Sequence, residues 1–268
     1  MGDGISRRAA LALGAVAAGG AMAASTAAGA VGVTEGRGRD YLRPDAGKLR
    51  RLYDDLAAMR RRREFARLPM ILTTPKQWDA TPLDALLGYT GPRQVFDSTD
   101  LAGTWINQIR NTVNAQVWAF RRPDFLVVAA PHGAAGYALF TQAAWTKYGL
   151  AALTDGVMKR NTLLRDPPFP RAAVDQPENG KGLYSSAAGN TIPVLQKRGV
   201  VFLACHNAIW ELASVLIASG VNPDGRTQGE LAADLTDSLI PGVVTTPGNE
   251  ATIGLLQQAG YSYSFAEA

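Results

Sequence analysis

The apolar residues of this chain alternate between two spacings. Residues 125–130 (Phe125-Leu126-Val127-Val128-Ala129-Ala130) and 200–204 (Val200-Val201-Phe202-Leu203-Ala204) are unbroken apolar runs, as expected of strands buried on both faces. Shorter runs at 94–97 and 243–245 predict two more strands, and 261–265 alternates as a last strand at a sheet edge. Between these runs the apolar residues recur every three or four positions. Ile106, Ile109, Val113 and Val117 mark a helix over 104–119, and the pattern predicts others over 134–148, 192–198, 207–219 and 224–238. Gly199 and Gly220 stop two of them. Thr246 and Pro247 suit the cap and first position of a final helix, with Glu250 in its first turn and Gly260 at its end. Strands alternating with helices predict an α/β domain, a mostly parallel sheet of five strands with helices on both faces.

Ahead of this domain, Leu49, Leu52, Tyr53, Leu56 and Met59 predict a helix over 45–67. Its other side carries Arg50, Arg51 and the run Arg60–Arg63, read as a solvated face or a docking arm. Residues 69–92 form a Pro- and Thr-rich connection with a short amphipathic piece at 83–87. Inside the α/β region, residues 159–190 are a loop rich in Pro, Gly and Ser. Structureless stretches of that length are usually lids, interfaces or disordered segments.

Charge is uneven along the 268 residues. Residues 1–67 hold 13 of the 27 Lys and Arg but only 7 of the 23 Asp and Glu, so the remainder is slightly acidic. The formal charge of +4 therefore describes the front of the chain, and no basic, aromatic-rich surface for nucleic acid follows from it. That front begins Ser6-Arg7-Arg8 and continues through a small-residue Ala/Gly/Val stretch to about Val33. It resembles a twin-arginine export signal, with Ala21-Met22-Ala23 or Ala28-Gly29-Ala30 as the cleavage site. The stretch buries too little apolar area for a good spanning helix, so membrane contact is expected only in transit to the periplasm or exterior. The organisation expected is a signal peptide over 1–30, a helical extension and linker over 31–91, and the α/β domain over 92–268.

The single cysteine excludes an internal disulfide framework. Cys205 directly follows one apolar strand and His132 another, each ahead of a helix, and His206 is the only other histidine. In open α/β sheets ligands bind at that strand-to-helix edge, and a helix N-terminus favours a thiolate. Cys205 is thus the candidate nucleophile, with His132 and His206 as its candidate catalytic partners. Equally, a lone cysteine is often a small buried hydrophobe. No nucleophile elbow, phosphate loop or zinc-protease helix is present, so Ser185 or Ser186 in the long loop makes a poor hydrolase candidate. Neither the Cys nor the His spacing supports a metal site, and no cofactor is expected.

Residues 199–208, Gly-Val-Val-Phe-Leu-Ala-Cys-His-Asn-Ala, are followed by Leu239-Ile240-Pro241-Gly242-Val243. A helix then ends Leu256-Gln257-Gln258-Ala259-Gly260-Tyr261-Ser262-Tyr263. This set resembles the DsrE-like (YchN-like) sulfur-relay family. Gln94-Val95-Phe96-Asp97, Ile109-Arg110-Asn111, the stretch from Val128 to Gly133 and Trp145-Thr146-Lys147-Tyr148 resemble its exported subgroup. The resemblance covers about 92–268 and implies a five-stranded flavodoxin-like sheet, homo-oligomers and a persulfide carried at the position of Cys205. On that reading the partner is a small sulfur compound or a sulfur-carrier protein. His132, His206 and Asn207 would stabilise the thiolate or the bound group, and Arg110, Gly133 and Asn249 are further candidate binding residues. The other reading is a non-catalytic, oligomeric ligand-binding or accessory protein whose cysteine is inert.

Overall fold

The computed structural model describes residues 41–60, 62–178 and 182–266. The export signal expected over 1–30 lies outside them. Five strands form one sheet: β1 (Arg93–Ser98), β2 (Leu126–Pro131), β3 (Val200–Cys205), β4 (Val244–Thr246) and β5 (Ser262–Phe265). All four pairings are parallel and the order is β4-β3-β2-β1-β5. The helices are α1 (Gly47–Ala58), α2 (Ala80–Leu87), α3 (Trp105–Asn114), α4 (Gln142–Lys147), α5 (Arg171–Val174), α6 (Ser186–Gly189), α7 (Ile192–Lys197), α8 (His206–Ala218), α9 (Gln228–Asp237) and α10 (Asn249–Gln258). The fold is the expected flavodoxin-like α/β class, and its sheet is parallel throughout.

The unbroken apolar runs have a simple cause. Every residue of β2 and β3 is buried, and alternate side chains enter two cores. Val127, Ala129, Phe202 and Ala204 face one core, which α3, α8 and α9 complete through Ile109, Leu212 and Leu235. Leu126, Val128, Val201 and Leu203 face the other, completed by Leu49 and Leu52 of α1, Leu86 of α2 and Leu256 of α10. α8 leaves β3 on the first face and α10 leaves the adjacent β4 on the second. The chain therefore leaves β3 and β4 towards opposite faces just beyond the paired Cys205 and Thr246, the switch point at which α/β sheets form their crevice. On the other side β5 is an edge, with Tyr263 and Phe265 exposed.

Several predicted elements end elsewhere, each for a local reason. The helix expected over 45–67 stops at Ala58. Beyond it Arg63 is drawn inward, where its Nη2 donates to Asp79 Oδ2 at 2.9 Å and to the Val243 carbonyl. It is one side of a nearly buried ion pair and no part of a solvated face. The helix expected over 134–148 breaks in two, a 3-10 turn over Gly133–Leu139 and then α4. Phe140 is pulled into an antiparallel bridge with Leu239, and the Thr141 N–H donates to the Ser238 carbonyl at 3.0 Å. Thr246 does not cap the last helix. It stays in the ladder opposite Cys205, and α10 begins three residues later with Gly248 at the cap. The loop over 159–190 holds short helical turns and buries Val174 and Leu183 against Tyr41 and Val194.

The segment ahead of β1 is bound into the same compact unit as the sheet. Asp124 Oδ1 accepts from the N–H groups of Lys48 and Leu49 at 2.7 and 3.0 Å, capping α1 from across the fold. Gly199, at φ +94°, turns the chain into β3, where a Cβ would lie 2.5 Å from Leu49 Cδ2. Asp79 joins the segment to the sheet edge, accepting from the Thr245 N–H at 2.8 Å and its hydroxyl at 2.9 Å. Burial opposes ionisation of Asp79, but the Arg63 charge and the Thr245 hydrogen bonds outweigh it and hold the carboxyl below its usual range.

Asp79→Ala leaves Arg63 buried without its carboxylate. We expect it to lower stability by about 3–5 kcal/mol in urea unfolding, whereas Asp79→Leu combined with Arg63→Met recovers much of that loss. A loss below about 1 kcal/mol for the single variant would show that the pair does not hold the segment.

Candidate functional site

Cys205 is the last residue of β3 and the N-cap of α8. It sits at the switch point and is only 4% exposed. Strand alternation turns its side chain towards α10, and the Asn249 N–H meets Cys205 Sγ at 3.4 Å. Two helix N-termini, those of α8 and α10, therefore converge on one sulfur. Burial nevertheless dominates and pushes the Cys205 thiol up. The N–H groups of Asn249, Ala208 and Asn207 favour the thiolate, while the nearby Glu250 carboxylate opposes it. Desolvation thus opposes the thiolate that a helix N-terminus favours, and at neutral pH this group holds its proton.

A small cavity borders the residue, with about 10 Å³ of free space for the centre of a water-sized group. Its lining is apolar and small on one side (Pro131, Gly133, Gly136, Ala208) and bulkier on the other (Leu139, Phe140, Ile209, Leu239). Gly133 is placed there as expected and has φ +54°, a conformation that side-chain-bearing residues rarely adopt. Among the described residues, none of the long loop over 159–190 lines this cavity.

Asn249 is fully buried and its side chain is committed to the protein. Nδ2 donates to the Pro131 carbonyl at 3.0 Å and the Leu203 carbonyl at 3.4 Å, and Oδ1 accepts from the Thr246 hydroxyl at 2.8 Å. Two carbonyl partners on one atom fix the amide orientation. Asn249 thus positions Cys205 through its backbone and has no side-chain donor left for a ligand. Asn207 is exposed beside the crevice, where a Cβ on Gly248 would lie 3.0 Å from its Nδ2.

The histidines are placed differently from each other. His132 follows β2 and stands between carboxylates, with Asp97 Oδ1 at 2.9 Å from Nε2 and Glu250 Oε1 at 3.3 Å from Nδ1. The Tyr263 hydroxyl donates to Asp97 Oδ2 at 2.9 Å, so the polar chain runs across β5, β1, β2 and α10. Both ring nitrogens are turned to carboxylates, and neither is directed at the sulfur. His206 points the other way. Its Nε2 donates to the Pro69 carbonyl at 2.7 Å and ties down the segment ahead of β1. Burial holds this imidazole below its usual range, against the hydrogen bonds to Pro69 and Met70.

Arg110 lies apart from the crevice. Its Nη2 donates to Asn107 Oδ1 and Asn111 Oδ1 at 2.7 and 2.6 Å. Thr246 and the Asp97–Tyr263 pair are the polar residues that sequence reasoning missed. Asp97 could have been found, since it occupies the same strand-end position on β1 that drew attention to Cys205. Among the described residues no group of three or more His, Cys, Asp or Glu is placed to hold a metal ion, and no helix is long and apolar enough to cross a membrane.

Two measurements follow from these environments. Alkylation of Cys205 by iodoacetamide in the folded protein should be at least tenfold slower at pH 7 than that of a free thiol. It should rise with pH past the ordinary thiol midpoint of about 8.5 and become fast in denaturant. For His206 the folded state disfavours protonation, so its contribution to stability is complete above the unfolded midpoint of about 6.5. That contribution is lost as pH falls below it towards the depressed folded value. The melting temperature of the wild type should therefore fall more between pH 7.5 and 5.5 than that of His206→Gln, and equal falls would refute this assignment. No protein-family model, curated protein or solved structure matches the chain significantly.

Proposed function

We propose that Cys205 accepts and hands on sulfane sulfur as a persulfide, within an exported protein of DsrE-like type. The observation that carries this reading is the placing of Cys205 Sγ against the Asn249 N–H, at the switch point and beside a cavity of one-group size. The resemblance of residues 199–208 and 239–263 to sulfur-relay sequences supports it.

The chemistry suits the environment in a specific way. A thiol at this position keeps its proton because burial outweighs the three N–H groups. A persulfide is a stronger acid than a thiol, so the same N–H groups suffice to hold it as an anion once the sulfur is added. Loading begins when the Cys205 sulfur attacks the outer sulfur of a donor persulfide, RSS⁻. A new S–S bond forms and the donor's S–S bond breaks. The donor sulfur leaves with the bonding electron pair and takes the thiol proton, giving Cys205–S–S⁻ and RSH with no net oxidation. Delivery to an acceptor thiol is the reverse step, in which the acceptor's proton returns to the Cys205 sulfur. Asn207, exposed beside the crevice, is the side chain free to meet donor or acceptor.

The second reading is an accessory or ligand-binding protein with an inert cysteine, and the burial of Cys205 favours it. Treating the folded protein with glutathione persulfide, followed by intact-mass measurement, separates the two. The sulfur-carrier reading expects a gain of one sulfur atom, removed by cyanide or reductant and absent in Cys205→Ser. A folded protein that takes up no sulfur, yet does so in denaturant, would establish the inert cysteine instead.

A further inference from the structure

Two guanidinium groups are buried together at the opposite edge of the sheet. Arg110 is 7% exposed and Arg198 is 5% exposed. Arg198 stands two residues before β3 begins, and Cys205 ends that strand. The six residues of β3 span about 17 Å, so this pair is remote from the crevice. Among the described residues, the hydrogen-bond partners of the pair are all neutral. Arg110 Nη2 donates to Asn107 and Asn111, and Arg198 Nη2 donates to Asn114 Oδ1 at 2.6 Å. The Arg198 guanidinium lies 4.8 Å from the centre of the Tyr184 ring. Among the described residues neither arginine forms an ion pair.

Polar atoms remain unsatisfied there. Arg110 Nε and Arg198 Nη1 are buried without a hydrogen-bond partner, and so is the hydroxyl of Thr191. Asn190, whose Nδ2 donates to Asn107 Oδ1 at 3.2 Å, joins Thr191 to the same network. Buried charges in proteins are normally paired, and orphaned donors normally have a partner. Arginine cannot escape by releasing its proton as a lysine or cysteine can. Burial and the charge of Arg110 bring Arg198 down, yet only to about 10, so it stays charged at neutral pH.

We propose that Arg110 and Arg198 form a buried receptor for a small inorganic oxyanion of the phosphate or sulfate class. The anion accepts from Arg110 Nε and Arg198 Nη1, with the Thr191 hydroxyl as a third donor. It supplies the negative charge that the neighbouring asparagines cannot. A planar guanidinium suits this role because its paired N–H groups match the oxygen spacing of such anions. The site is independent of the sulfur chemistry at Cys205.

The test uses the full chain, with inorganic phosphate and sulfate titrated at ionic strength held constant by chloride, followed by thermal unfolding and calorimetry. The expected result is a saturable rise of several degrees in melting temperature with phosphate or sulfate and none with chloride. Arg198→Met and Arg110→Met should each weaken binding at least tenfold. Arg198→Lys, which keeps charge and bulk but lacks the fork, should show an intermediate loss. Cys205→Ser should bind the anion as the wild type does. Absence of a saturable effect in the wild type overturns the proposal, whether or not the arginine variants fold. An effect lost in Cys205→Ser but kept in Arg198→Met also overturns it, by assigning the anion to the other edge of the sheet.

Discussion

The carboxamide of Asn249 has to reach the end of β2, the ladder of β3 and the hydroxyl of Thr246 because the sheet opens at that point. The ladder between β2 and β3 ends at Ala129 and Phe202, and beyond it carbonyls of both strands lack that neighbour. Nδ2 of Asn249 takes the Pro131 and Leu203 carbonyls, and Oδ1 takes the Thr246 hydroxyl, which also reaches the Ala204 carbonyl at 3.4 Å. A fully buried amide with every bond made both satisfies the edge and fixes it in one geometry. The position of the Asn249 backbone N–H, and with it the environment of Cys205 Sγ, follows from that stitch. The candidate site is therefore a consequence of how the sheet closes its own crevice.

The crevice is braced from outside by the chain that precedes β1. Its fastenings fall close together on β4 and the start of α8: Asp79 on Thr245, Arg63 on the Val243 carbonyl, and Pro69 on His206. At the amino end of the sheet the same chain is held by Asp124 under α1 and by the Tyr53 hydroxyl on the Val200 carbonyl, at 2.8 Å. β4 is an edge strand of three residues with little ladder of its own, and Asp79 supplies hydrogen bonds that a further strand would otherwise provide. The segment thus closes one edge of the sheet, while β5 leaves the other open.

The strands were legible because burial on both faces leaves a pattern that needs no knowledge of partners. Runs at 125–130 and 200–204 fall within one residue of β2 and β3, and the positions of Cys205 and His132 at the strand ends follow directly. Contacts made across the fold were not legible. Nothing near Arg63 shows that Asp79 will meet it, and the arginine run around it looks like a solvated surface. His206 and His132 have similar sequence settings, yet one faces Pro69 and the other Asp97, because His206 is the first residue of a helix and His132 lies in the turn between a strand and the next element. Arg110 was singled out as a candidate binding residue, and its side chain bonds instead to Asn107 and Asn111 of its own helix. Its depth down α3 and its neighbour Arg198, 88 positions away in the chain, are set by helix packing alone.

Burial acts on the two ends of the sheet with opposite consequences. At the carboxyl edge the buried group is a thiol, which answers desolvation by keeping its proton and so needs no counter-charge. At the amino edge the buried groups are guanidiniums, for which neutralisation by proton loss lies far above physiological pH. The same low dielectric therefore leaves Cys205 with its proton and leaves Arg110 and Arg198 with charges that no carboxylate among the described residues pairs.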